Sequence, residues 1–154
     1  MKWTVAIVTV VVGVTGLCRA DDARRNVDDR DRCLAPDGVS LEQKLESCTV
    51  VIQSAGQTRQ VLVAAYHNRS VAYNRKGEYD RAIADLDEAI RLDPKFALAY
   101  NNRGVAYKNK GELDRAITDF DEAIRLNPKY ALPHDNRGNA YKNKGEYDRA
   151  IARC

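Results

Sequence analysis

With 154 residues the chain has room for one domain, and 25 basic residues against 22 acidic ones leave a net charge of only +3, without the basic excess by which nucleic-acid binders release counterions. Two histidines and four cysteines are little material for a metal centre or for a nucleophile with its base. The chain starts with Lys2 and an uncharged apolar run from Trp3 to Leu17, and Cys18-Arg19-Ala20 then puts small residues one and three places before Asp21. This reads as a secretory signal peptide over 1–20, cleaved after Ala20. The run is short against the roughly 20 residues of a membrane span. Retention as an uncleaved anchor is the alternative; lipidation at Cys18 fits less well, because Leu17 stands where a small residue is normal. Cleavage removes Lys2 and Arg19 and leaves a nearly neutral chain, extracytoplasmic (periplasmic or secreted) and without membrane attachment.

Disulfides persist in such an oxidising compartment. Cys18 leaves with the signal, Cys33 and Cys48 flank the turn sequence Pro36-Asp37-Gly38, and Cys154 is left over. A Cys33–Cys48 disulfide is expected, with buried free thiols as the alternative. Residues 21–39 read as a flexible leader carrying Cys33, since Asp21 to Asp31 is Asp and Arg with almost no apolar content. Ser40 and Gln43 have capping-box spacing, and Leu41, Leu45, Cys48 and Ile52 then share a helical face, which predicts a helix from about Leu41 to Gln53. Residues 40–62 are read as a degenerate half-repeat acting as an N-terminal cap, with Leu45, Cys48 and Ile52 in the places of Ile83, Leu86 and Ile90.

That comparison rests on a period of 34 residues, which relates Tyr73, Tyr107 and Tyr141, then Ala82, Ala116 and Ala150, then Gly77, Gly111 and Gly145. The units are 63–96, 97–130 and a truncated 131–154. In the first, Val63, Tyr66, Ala72 and Tyr73 mark a helix A that ends at Gly77. Helix B runs from about Tyr79 to Leu92 with Ile83, Leu86, Ala89 and Ile90 inward. Asp93-Pro94 and Asn127-Pro128 are expected to be N-cap and first-turn proline of the next helix A. Ser70, Gly104 and Gly138 are expected where helices approach closely, and Phe120 where the gap is wider. In the third unit Ala152-Arg153-Cys154 stands where the others continue helix B. Its exposed layer is expected to fray or to pair with a second copy through Cys154.

A helix-turn-helix unit with these matched slots resembles the tetratricopeptide repeat, from Val63 to Cys154. The resemblance implies an all-α, right-handed solenoid of antiparallel helix pairs whose A helices line a concave groove for an extended segment of another protein. It also implies that Asn68, Asn102 and Asn136 grip the backbone of that segment. Asparagine is a mediocre interior helix former, so its recurrence asks for a reason; solvated polar copies are the alternative. Preference would be set on the same face by His67 and Asn101, by Val71, Val105 and Asn139, and by Lys108 and Lys142. The carboxylate clamp of chaperone-binding relatives is absent, because His67, Val71, Leu132 and Asn136 replace its residues. Arg69, Arg103 and Arg137 occupy a slot usually held by leucine and are expected to reach Asp85 and Asp119 on helix B. His67 and His134 have no cysteine or carboxylate at ligand spacing, so no catalytic residue, metal or cofactor is predicted. The expected function is a non-catalytic interaction scaffold, or alternatively a self-association module.

Overall fold

The computed structural model describes residues 28–35, 38–146 and 150. The segment expected to be a signal peptide and its expected cleavage site, Cys18, Pro36, Asp37 and Cys154 lie outside the described residues. Helices follow one another without a strand among the described residues: α1 over 28–34, α2 Leu41–Gln53, α3 Arg59–Arg75, α4 Tyr79–Leu92, α5 Ala97–Lys110, α6 Leu113–Leu126 and α7 Ala131–Asn143. The all-α, paired-helix architecture is the expected one.

Local chemistry sets most boundaries. Ser40 Oγ accepts from Gln43 N–H at 3.2 Å while Gln43 Oε1 accepts from Ser40 N–H at 3.1 Å, the reciprocal box that starts α2. Helix α3 begins at Arg59, ahead of the expected unit boundary at 63, because Thr58 Oγ1 accepts from Val61 N–H. Each A helix ends alike: Gly77, Gly111 and Gly145 have φ of +76°, +84° and +79°, and the next residue's N–H returns to the carbonyl of Tyr73, Tyr107 or Tyr141.

Asp93-Pro94 and Asn127-Pro128 do not start helices. Asp93 closes α4, its N–H bonded to Ala89 O, and its carboxylate accepts from Lys95 N–H at 3.1 Å; α5 begins only at Ala97. Asn127 repeats this with Lys129 N–H at 3.3 Å. A short polar side chain that bonds the backbone two residues on makes a turn, and the following proline has the φ that turn needs.

Part of the expected leader is ordered. Residues 28–34 form α1, with Asp29 and Cys33 buried one turn apart. Asp29 accepts from Ser47 Oγ at 3.3 Å, and Cys33 and Cys48 lie at disulfide distance with a Cα–Cα separation of 4.7 Å. These anchors supply from tertiary contact the stability that composition denies so short a helix. Against them α2 buries Ser47, Cys48 and Val51, while Leu41, Leu45 and Ile52 are half-buried, so its inner face is rotated from the expected one.

Side-chain packing forms one cluster per interface. Cys33, Cys48, Val51, Val61 and Ala65 make the first, Leu86, Ala89 and Ala99 the second, and Tyr107, Ile117, Phe120 and Tyr141 belong to the third. Successive A helices touch, α3 with α5 and α5 with α7, whereas α2 and α4, or α4 and α6, do not. The stack therefore curves with the A helices inside. Gly104 permits the tightest approach: a Cβ there would stand 2.6 Å from Phe120 Cε1 and 3.1 Å from Ala116 O, whereas at Gly138 the nearest atom among the described residues, Ala150 O, is 3.8 Å away. Gly104→Ala is expected to lower stability by about 1–3 kcal/mol through overpacking. Gly138→Ala should be neutral or stabilising by up to about 1 kcal/mol, as for any helix-interior glycine with room; urea unfolding of the two variants checks the contrast.

Candidate functional site on the A helices

Two polar systems run along the A helices, and the first is internal. Arg69 holds Asp85 in a fork, Nε at 2.8 Å and Nη2 at 2.7 Å, and Nη1 reaches Thr49 of α2 at 2.9 Å. Arg103 repeats the fork on Asp119 at 2.8 and 2.7 Å and reaches Asp87 of α4 at 2.6 Å. Arg137 meets Asp121 of α6 at 2.5 Å. Each arginine thus pins its helix A to the helix B before it, and the first two also to their own helix B. The hydrogen bond to Asp119 is the main reason that Arg103 holds its proton more firmly than an ordinary arginine. Burial pushes the Asp119 carboxyl up, against the pull of Arg103. The expected reach from Arg69 and Arg103 to Asp85 and Asp119 is therefore present.

The second system contains the residues expected to grip a ligand. Asn68 Nδ2 donates to Cys33 O at 2.9 Å, Asn102 Nδ2 meets His67 Nε2 at 2.8 Å, and Asn136 Nδ2 donates to Asn101 Oδ1 at 3.0 Å. Asn109 bonds Asn74 at 3.3 Å. All four pairs are 35 residues apart, one more than the period, so every amide reaches the preceding layer. The separation also puts Cys33 in the slot of His67 and Asn101, which makes α1 a shortened helix A and completes the expected half-repeat. Asn101 is buried, so it does not line open surface as expected. Asn68, Asn102 and Asn136 are half-buried, and each amide keeps a second N–H and a second oxygen lone pair. His67 is half-buried, its ring edge-on to Phe96 at 5.4 Å, and burial lowers its pKa from the ordinary histidine value.

The remaining expected residues are more open. Val71, Val105 and Lys108 are half-buried, and Asn139 and Lys142 are exposed. A cleft of about 330 Å³ is lined by Leu34, Val39, Lys44, Asn68, Val71 and Arg75. Arg75 escaped the sequence analysis although it stands one turn after Val71, the spacing that signals a shared helical face. Lys76, Lys110 and Lys144 at the helix ends bridge to carboxylates, as do Arg81, Arg91, Arg115 and Arg125 on the B helices. Arg75, Lys108 and Lys142 have no ion pair among the described residues. Nor do the described residues contain a group of three or more His, Cys, Asp or Glu placed to hold a metal. None of the described helices is long and apolar enough to cross a membrane.

Three family models match in succession, TPR repeat over 71–111 and Tetratricopeptide repeat over 97–130 and 120–152. Together they span more than half of the chain, which belongs to the tetratricopeptide-repeat family. Among solved structures it is similar to the second TPR of Spaghetti (RPAP3) bound to HSP90 peptide SRMEEVD, at 27% identity and a TM-score of 0.58, over 61% of this chain and 89% of that one. It is similar in fold to MamA, at 22% identity and 0.65, covering 92% and 91% of the two chains. The second TPR domain of human RPAP3 in complex with HSP70 peptide SGPTIEEVD shares 24% identity at 0.63, covering 79% of this chain and 96% of that domain. No curated protein matches the chain.

Proposed function

We propose that this protein is a non-catalytic scaffold that binds an extended segment of another protein along the inner, A-helix side of its stack, in an extracytoplasmic compartment. The observation that carries the reading is the contrast in charge pairing. Lys76, Lys110 and Lys144 at the helix ends and Arg81, Arg91, Arg115 and Arg125 on the B helices are neutralised by neighbouring carboxylates, whereas Arg75, Lys108 and Lys142 on the A helices have no ion pair among the described residues. Between them Val71 and Val105 offer apolar contact, and the asparagine amides offer their unused N–H groups and lone pairs. The RPAP3 domains bind chaperone peptides, as their structures state. This chain lacks the clamp residues at His67, Val71, Leu132 and Asn136, which directs it to a different segment. The Cys33–Cys48 pair supports the compartment, because such bonds persist where thiols are oxidised.

Capture of partners from the native source, by the chain and by Lys108→Glu/Lys142→Glu, tests the reading. The double variant should keep its helicity and melting temperature and lose about tenfold or more in affinity, roughly 1.4 kcal/mol. Undiminished binding, or an equal loss in the B-helix control Arg91→Glu/Arg125→Glu, overturns it.

A further inference from the structure

One backbone carbonyl fixes the direction of a hydrogen-bond chain that crosses the layers. Cys33 C=O can only accept, so Asn68 turns Nδ2 to it at 2.9 Å and Oδ1 to His67 Nδ1 at 3.2 Å. That oxygen requires a hydrogen on Nδ1. The neutral ring therefore leaves Nε2 bare, and Nε2 accepts from Asn102 Nδ2 at 2.8 Å. Asn102 Oδ1 is then available to Asn101 Nδ2 at 3.1 Å, and Asn101 Oδ1 to Asn136 Nδ2 at 3.0 Å. Donation runs one way, from Asn136 to Cys33.

His67 is the only member of the chain that titrates. An imidazolium donates from both nitrogens, so its Nε2–H would meet the Asn102 NH₂ head on. Turning Asn102 over presents its oxygen to the ring but sets its NH₂ against that of Asn101. Relief comes when Asn101 turns, and then Asn136. Asn68 keeps its place, because Nδ1–H is present in both states. We propose that His67 is a proton-operated direction switch, in which one proton gained at Nε2 reverses the amides of Asn102, Asn101 and Asn136 along the inner side of the stack.

The surroundings leave this task to the ring alone. Asp29 of α1 is tied to Ser47 and Arg32, Arg69 of α3 to Asp85 and Thr49, and Arg103 of α5 to Asp119 and Asp87, while the α4–α5 turn presents Phe96. Among the described residues no carboxylate or cation acts on the ring; burial is the main influence and favours the neutral form, so the switch operates below the ordinary histidine value. Reversal is a property of the protein alone, and only its effect on a bound segment rests on the function proposed above.

Heteronuclear NMR of the labelled full chain tests the switch without a partner. Near neutral pH the His67 ring nitrogens should report hydrogen on Nδ1. On acidification the side-chain NH₂ resonances of Asn102, Asn101 and Asn136 should shift together, with the midpoint of the ring, while that of Asn68 stays in place. His67→Asn, which installs the residue of the same slot one repeat later, should abolish the shared transition. If that variant does not fold, the tautomer and the shared midpoint of the unaltered chain still decide. Hydrogen on Nε2 in the neutral ring, or Asn101 and Asn136 amides indifferent to the His67 titration, overturns the proposal.

Discussion

Asp119→Ala is expected to lower stability by about 3–5 kcal/mol, the cost of stranding one member of a buried ion pair. The carboxylate is 5% exposed and takes two hydrogen bonds from Arg103, which without it would keep only Asp87, at the half-open end of the rung. Asp87→Ala removes the outer contact and should cost about 0–1 kcal/mol, as for an exposed pair. The double variant Arg103→Leu/Asp119→Leu should be much milder than the sum of its single changes, because no buried charge is left without a partner and the exposed Asp87 is solvated. Urea midpoints of the unaltered protein, of these variants and of the single changes Arg103→Leu and Asp119→Leu check the ranking, and an Asp119→Ala loss under about 1 kcal/mol would show that water reaches the rung.

The rungs were legible in the sequence because both partners recur at the period: Arg69 with Asp85 and Arg103 with Asp119 keep one separation, and a pair copied as a pair can be read from either copy. The same regularity gave the bounds of α4 and the glycine exits of the A helices. It could not expose the asparagine links, which run at the period plus one and join different slots in adjacent layers, as Asn102 joins His67. A period shows that a residue recurs; it does not say whether its partner is a ligand or the layer beneath. Helix α1 was hidden for another reason. Five of its seven residues are charged, and Asp29 and Cys33 are buried only because Ser47 and Cys48 stand opposite, information that lies 15 or more residues away. Asp93 and Asn127 were misplaced because a side chain that caps a helix also makes a turn, and the choice depends on where the next layer requires the chain to reverse.

Reduction of the Cys33–Cys48 bond is expected to cost about 3 kcal/mol from the loop of 15 residues it closes, and the loss should be local. In a stack whose stability is nearly a sum of layers and interfaces, the first layer alone depends on this link. Its α1 is too short to persist unaided. Once the bond opens, Asp29–Ser47 and Asn68–Cys33 O remain as hydrogen bonds to hold it. Hydrogen exchange should therefore quicken in α1 and α2 and at the start of α3, while α5 and α6 stay protected and the melting temperature falls. Equal acceleration in all helices would mean that the stack opens as one unit, and an unchanged melting temperature would mean that the loop is not closed in the folded chain. The consequence extends to His67. When α1 departs, the Cys33 carbonyl leaves Asn68, and the only group that can solely accept is lost from the one-way chain. Asn68 may then turn either edge to His67, so the reduced protein should show a mixture of ring tautomers where the oxidised protein shows hydrogen on Nδ1.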